Sequence, residues 1–102
     1  MSYLDPEIYP PAALIDLDGV CFKNGTDLWL PGAIEKLHFL SEDNIRIIIF
    51  TSRPKGLWMN KFASEGIPLF GIIQKPLACS YFMVDDRLIP DACAKSLKDL
   101  VW

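Results

Sequence analysis

Asp16 and Asp18 stand two residues apart at the end of the apolar run Ala12-Ala13-Leu14-Ile15, and Gly19 follows them. In an extended chain, side chains at i and i+2 leave on the same side, so both carboxylates can meet one ligand while Leu17 points the other way. Gly19 lets the backbone turn sharply and a ligand approach closely. Adjacent carboxylates repel unless a cation or a shared proton offsets the repulsion, so the pair predicts a bound metal or an acid and base with divided roles. Asp85 and Asp86, after a second apolar run Tyr81-Phe82-Met83-Val84, add hard oxygen donors. With no His or Cys pattern nearby, such donors favour magnesium over zinc or copper. The plainer role for Asp16 and Asp18 is to cap the turn that follows them.

Bringing these acids together requires strands that end side by side. Ala12 to Leu17, Ile45 to Phe50, Leu69 to Ile73 and Tyr81 to Val84 are short apolar runs of the kind found in strands buried on both faces. Between them, Pro31-Gly32 opens a helix with Ile34, Leu37, Phe39 and Leu40 at helical spacing, ending near Asp43-Asn44. Residues 55–65 read as a second helix, stopped at Glu65-Gly66, and Asp91 to Leu100 as a third. Asn24-Gly25, flanked by Val20-Cys21-Phe22 and Leu28-Trp29-Leu30, predicts a hairpin flap over residues 19–30. Pro6, Pro10 and Pro11 make residues 1–11 an extended lead-in.

Strands alternating with helices predict an α/β domain with a mostly parallel sheet and right-handed crossovers. Ligands in such sheets bind beyond the carboxyl ends of the strands, where Asp16, Asp18, Thr51, Asp85 and Asp86 fall. No linker, repeat or low-complexity tract divides the chain, so residues 1–102 read as one domain.

Taken in order, Asp16-Leu17-Asp18-Gly19-Val20, Ile47-Ile48-Ile49-Phe50-Thr51, Lys75 and Val84-Asp85-Asp86 resemble the four signature motifs of the haloacid dehalogenase superfamily. The likeness runs from about Ala12 to Pro90. The stretch from Thr51-Ser52-Arg53 through Lys75-Pro76 to Val84-Asp85-Asp86-Arg87 is similar to a small capless branch of it. The resemblance implies a three-layer Rossmann-like domain and a phosphatase that works through an aspartyl-phosphate. It implies Asp16 as nucleophile, Asp18 as general acid and base, and Thr51 and Lys75 as holders of the phosphoryl oxygens. Magnesium would be held by Asp16, Asp18 through its carbonyl, Asp85 and Asp86. A carboxylate approaching a phosphate dianion needs offsetting positive charge, which magnesium and Lys75 would supply.

Neighbouring residues widen the candidate set. Ser52 and Arg53 join Thr51 as possible phosphate contacts, with a solvated loop arginine as the simpler alternative for Arg53. Arg87 reads as a partner of the adjacent acids, His38 as a helix packing or surface residue, and Cys21 as a small buried apolar group. Trp29 either lines a substrate mouth or anchors the flap, while Trp58 and Trp102 read as packing residues. Lys75 is the one cation expected beside the four acids. On that reading the metal-free site repels itself, and Asp16→Ala would relieve it.

The stretch between Gly19 and Pro31 suffices only for a hairpin, and that between Thr51 and Lys75 for one helix and one strand, so no cap domain fits. An open site leaves the substrate as a phosphorylated small molecule or polymer end, and the short stretch after Asp86 makes a homo-oligomer a possible way to complete the site. The 10 Lys and Arg among 102 residues are scattered and the net charge is -3, which argues against general nucleic-acid binding. No apolar run approaches the ~20 residues of a membrane span, no basic and apolar leader opens the chain, and three widely spaced cysteines suggest a reducing compartment. The expected location is cytoplasmic. Three other readings compete: a non-catalytic phosphate or magnesium-binding regulatory domain, a phosphotransferase, and a receiver-like domain, the last disfavoured because the acid pair opens the chain and the adjacent acids come last.

Overall fold

The apolar runs become strands β1 (Ala12–Ile15), β2 (Arg46–Thr51) and β3 (Gly71–Gln74), and the helical spacings become α1 (Ala33–Glu42) and α2 (Trp58–Ser64). This is a computed structural model that describes residues 10–77. The strands pair in parallel in the order β1-β2-β3, with Ile15 opposite Ile49 and Thr51 opposite Gln74. The β1 and β3 ends therefore open on the same side of the sheet, flanking Thr51.

Register decides which side chains are buried. Ala13, Ile15, Ile47, Ile49 and Thr51 share one face and are buried, together with Leu37 and Leu40 of α1 and Trp58 and Phe62 of α2. The opposite face carries Leu14, 42% exposed, and the half-buried Ile48 and Phe50. Among the described residues the architecture is thus two layers, helices on one face of a parallel sheet. The fourth strand (Tyr81 to Val84), the third helix (Asp91 to Leu100) and residues 1–9 of the lead-in lie outside the described residues.

Both helices stop where the sequence places a residue tolerant of left-handed backbone. Asn44 has φ 58°, and the Ile45 N–H donates to the Leu40 carbonyl at 2.9 Å. Gly66 has φ 68°, and the Ile67 N–H donates to the Phe62 carbonyl at 3.0 Å. Each closes a Schellman-type end that satisfies carbonyls the helix leaves open.

Boundaries differ from the sequence reading where local hydrogen bonds compete. β1 ends at Ile15 rather than Leu17, because the Leu17 carbonyl accepts the N–H groups of Cys21 and Phe22 at 2.9 Å each and folds the chain into a tight turn. α2 begins at Trp58 rather than residue 55, with the Trp58 indole N–H donating to the Pro54 carbonyl at 2.9 Å. β3 starts at Gly71; Leu69 and Phe70 precede the strand, although the Phe70 N–H already reaches the Ile47 carbonyl at 2.8 Å. Among the described residues, no helix is long and apolar enough to cross a membrane.

Candidate active site

The flap forms around a short antiparallel pairing. Phe22 bridges Trp29, the Lys23 N–H donates to the Leu28 carbonyl at 2.9 Å, and the Leu30 N–H to the Cys21 carbonyl at 2.8 Å. Thr26 closes the tip, its N–H donating to the Lys23 carbonyl at 3.0 Å. Aromatic packing seats the base: Trp29 lies 4.7 Å from Phe22 and 5.0 Å from Phe62, ring centre to centre, in tilted and edge-on contacts that suit aromatic quadrupoles. Of the two roles weighed for Trp29, this is the anchor. Gly19, with φ 80°, makes the turn into the flap, and a Cβ there would stand 3.1 Å from the Asn24 Oδ1.

Asp16 directly follows β1, and Lys75 directly follows β3. The Lys75 Nζ donates to the Asp16 Oδ2 at 2.8 Å, while the Asp16 Oδ1 accepts the Leu17 N–H at 2.8 Å. Lys75 is fixed at its backbone too, its N–H donating to the Thr51 carbonyl at 2.7 Å and so extending the β2–β3 ladder. The parallel register sets the ends of β1 and β3 on either side of Thr51 and so brings the two together.

Asp18 meets a different cation. Arg53, in the loop after β2, donates from Nε to the Asp18 Oδ2 at 3.1 Å and from NH2 to the Asp18 Oδ1 at 2.5 Å. The same guanidinium reaches the flap, giving NH2 to the Thr26 carbonyl at 2.6 Å and NH1 to the Asp27 Oδ1 at 2.8 Å. A planar fork of this kind suits carboxylates as a lysine would not. The hydrogen bond from Arg53, opposed by partial burial and helped by the Gly25 N–H, holds the Asp18 carboxyl below its ordinary range. Asp18 in turn pushes the Arg53 guanidinium further up.

A carboxyl lowered on folding stabilises the fold above its unfolded pKa, near 3.9, and loses that contribution as the pH falls through the lowered value. Arg53→Ala should therefore move the Asp18 carboxyl titration to higher pH. It should also destabilise the fold more at neutral pH than at the acid end. Carbon-detected NMR titration of Asp18 checks this, and an unchanged midpoint would mean that Arg53 does not bind the carboxylate in solution.

Arg53 bears on one alternative and one expectation. It is not a solvated loop arginine, its side chain being 19% exposed. Asp85 and Asp86, which the expected self-repulsion also counted, lie outside the described residues, but Lys75 is not the one cation beside the acids: Arg53 offsets the Asp18 charge. The sequence could not register this, because Arg53 must fold back 35 residues to meet Asp18.

The remaining candidates divide. Thr51 is fully buried, and its Oγ1 accepts the Arg53 N–H at 3.0 Å, so here it braces the loop that aims Arg53. Ser52 is exposed and its carbonyl accepts from the Gln74 amide at 2.9 Å. Asp85, Asp86 and Arg87 lie outside the described residues. Among the described residues no group of three or more His, Cys, Asp or Glu is placed to hold a metal ion. Asp16 and Asp18 still offer hard oxygens of the type magnesium takes.

Asp27 and Thr26 are site residues that the sequence reading missed. Their only signal was an acid beside the Asn24-Gly25 turn. Cys21 is a buried thiol whose pKa is pushed up to about 12, chiefly by burial and then by the Asp16 charge, so it is no nucleophile at neutral pH. A hollow of about 270 Å³ lined by Arg46, Pro68 and Phe70 lies at the opposite ends of the strands, away from the acids. Comparison with protein-family models, with curated proteins and with solved structures gives no match for this chain.

Proposed function

We propose that this chain is a magnesium-dependent phosphomonoester phosphatase of the haloacid dehalogenase type, built on a capless three-layer Rossmann-like domain. The observation that carries the reading is the pairing of both acids of Asp16-Leu17-Asp18 with cations from two separate strand-end loops, Lys75 and Arg53. A site with fixed cations beside a carboxylate suits an anionic substrate whose charge must be offset before the carboxylate can attack.

In this reading the Asp16 carboxylate attacks phosphorus, the P–O bond to the alcohol breaks, and the departing oxygen is protonated by Asp18. Asp18 must first take that proton from solvent or from a phosphate monoanion, against the pull of Arg53. Water then attacks the aspartyl-phosphate, with Asp18 taking its proton, and orthophosphate leaves. The ionised state that Arg53 favours for Asp18 suits this second half. Lys75 exchanges its contact with Asp16 for a phosphoryl oxygen, and Thr51 keeps Arg53 in position. Magnesium, held by Asp16 and the Asp18 carbonyl with Asp85 and Asp86, would neutralise charge on the transferring group.

The substrate class is a phosphorylated small molecule or a polymer end, acted on in an open site. Hydrolysis of an aryl phosphate tests the reading: turnover should require Mg²⁺ and vanish in excess chelator. Full rate in chelator would overturn the metal requirement, and binding of phosphate without turnover would favour the regulatory alternative.

A further inference from the structure

Resting on the phosphatase reading, we propose that Asp27 is a built-in competitor for the substrate's phosphoryl group, occupying the edge of Arg53 that an incoming phosphate takes. Arg53 has five N–H donors. Nε and one NH2 proton grip Asp18, the other NH2 proton serves the Thr26 carbonyl, and NH1 touches only Asp27. The NH1 edge is therefore the part of the guanidinium committed least.

Its occupant is held loosely. The Asp27 side chain is 53% exposed, against 33% for Asp18, and such solvent-facing ion pairs contribute little. Asp27 also lies at the tip of the flap, beside the 62% exposed Leu28, whereas the base is fastened by Phe22 and Trp29. The Asp27 side chain can swing away while Gly25 and Thr26 stay bonded to Asp18 and Arg53. Arg53 meanwhile stays aimed, because the fork to Asp18 and the N–H bond to the Thr51 Oγ1 hold it from behind. A phosphate dianion brings more charge than one carboxylate and several acceptor oxygens to the same edge, so it displaces Asp27. A singly charged anion has no such advantage, which biases the site toward phosphate.

Orthophosphate binding to the full chain in Mg²⁺, followed by calorimetry, tests the contact. Asp27→Asn should tighten binding by up to about fivefold, the scale of one exposed ion pair. Asp27→Ala, which leaves no side-chain acceptor at all, should do the same. On an Arg53→Ala background neither substitution should have an effect. Tightening that persists without Arg53 would reduce Asp27 to a general repulsion and overturn the proposal. So would weaker binding in both Asp27 variants, the mark of a structural brace. Binding that Lys75→Ala weakens but Asp27 does not influence would overturn the competitor while leaving the phosphatase reading in place. No orthophosphate binding by any of the proteins would remove both.

Discussion

Asp16→Asn is expected to lower aryl phosphate turnover by at least about a thousandfold while leaving the protein folded, because an amide cannot form the acyl-phosphate and nothing else described is placed to replace it. Cys21 is buried and protonated, and Asp18 is engaged by Arg53. The structural cost should be small. The Asp16–Lys75 pair is about one-third exposed on the acid side, and pairs of that kind contribute about 0–1 kcal/mol. Turnover and thermal melting measured on the same preparation separate the two effects. A melting point near wild type with turnover lost supports the assignment, whereas turnover within tenfold of wild type would remove Asp16 as nucleophile.

The largest effect on stability is expected at Phe62. It is 1% exposed, with its ring 5.0 Å from Trp29, 5.8 Å from Trp58 and 5.9 Å from Phe22, so it joins α2 to the flap and to the loop that carries Arg53. Removing a buried Phe side chain costs about 3–5 kcal/mol through lost transfer energy and an unfilled cavity. A small domain has only about 5–15 kcal/mol in total. Phe62→Ala should therefore bring the denaturant midpoint down steeply. The flap should lose its footing in the same transition, seen as faster amide exchange at Lys23 and Leu30. A loss below about 1 kcal/mol would show that flap and α2 do not share a core.

How much of this was legible in the sequence varies by element. The strands were readable because Leu14-Ile15 and Ile47-Ile48-Ile49-Phe50 are continuous apolar runs, a pattern that a parallel sheet produces without needing alternation. Helix ends were readable because Asn44 and Gly66 are types that tolerate positive φ. The ends of β1 and the start of α2 were not, since each is set by a competing hydrogen bond, at the Leu17 and Pro54 carbonyls, that leaves no mark in hydrophobic pattern. Asp16 and Asp18 could be selected from type and spacing, Lys75 only through the motif resemblance, and the structure brings Lys75 to Asp16. The Arg53 contacts were beyond reach, because they depend on the flap curling until Asp27 and the Thr26 carbonyl face a loop more than 25 residues away.

The flap and the two cations share one physical logic. Arg53 and Lys75 each arrive from a loop fixed to β2, Arg53 by its N–H to the Thr51 side chain and Lys75 by its N–H to the Thr51 carbonyl. Thr51 therefore sets the spacing between them, which explains why a hydroxyl-bearing residue at that position can be fully buried and still matter to the site.

On the proposed function, Asp16 carries the phosphoryl group during turnover. Acid quenching of the protein during steady-state hydrolysis of an aryl phosphate with Mg²⁺, followed by peptide mass spectrometry, tests it most directly. A phosphoryl-sized mass increment is expected on the peptide containing Asp16, absent from Asp16→Asn and lost on mild alkaline treatment, as befits an acyl-phosphate. Turnover that proceeds at an undiminished rate in Asp16→Asn, with no such increment on the wild-type peptide, would contradict it.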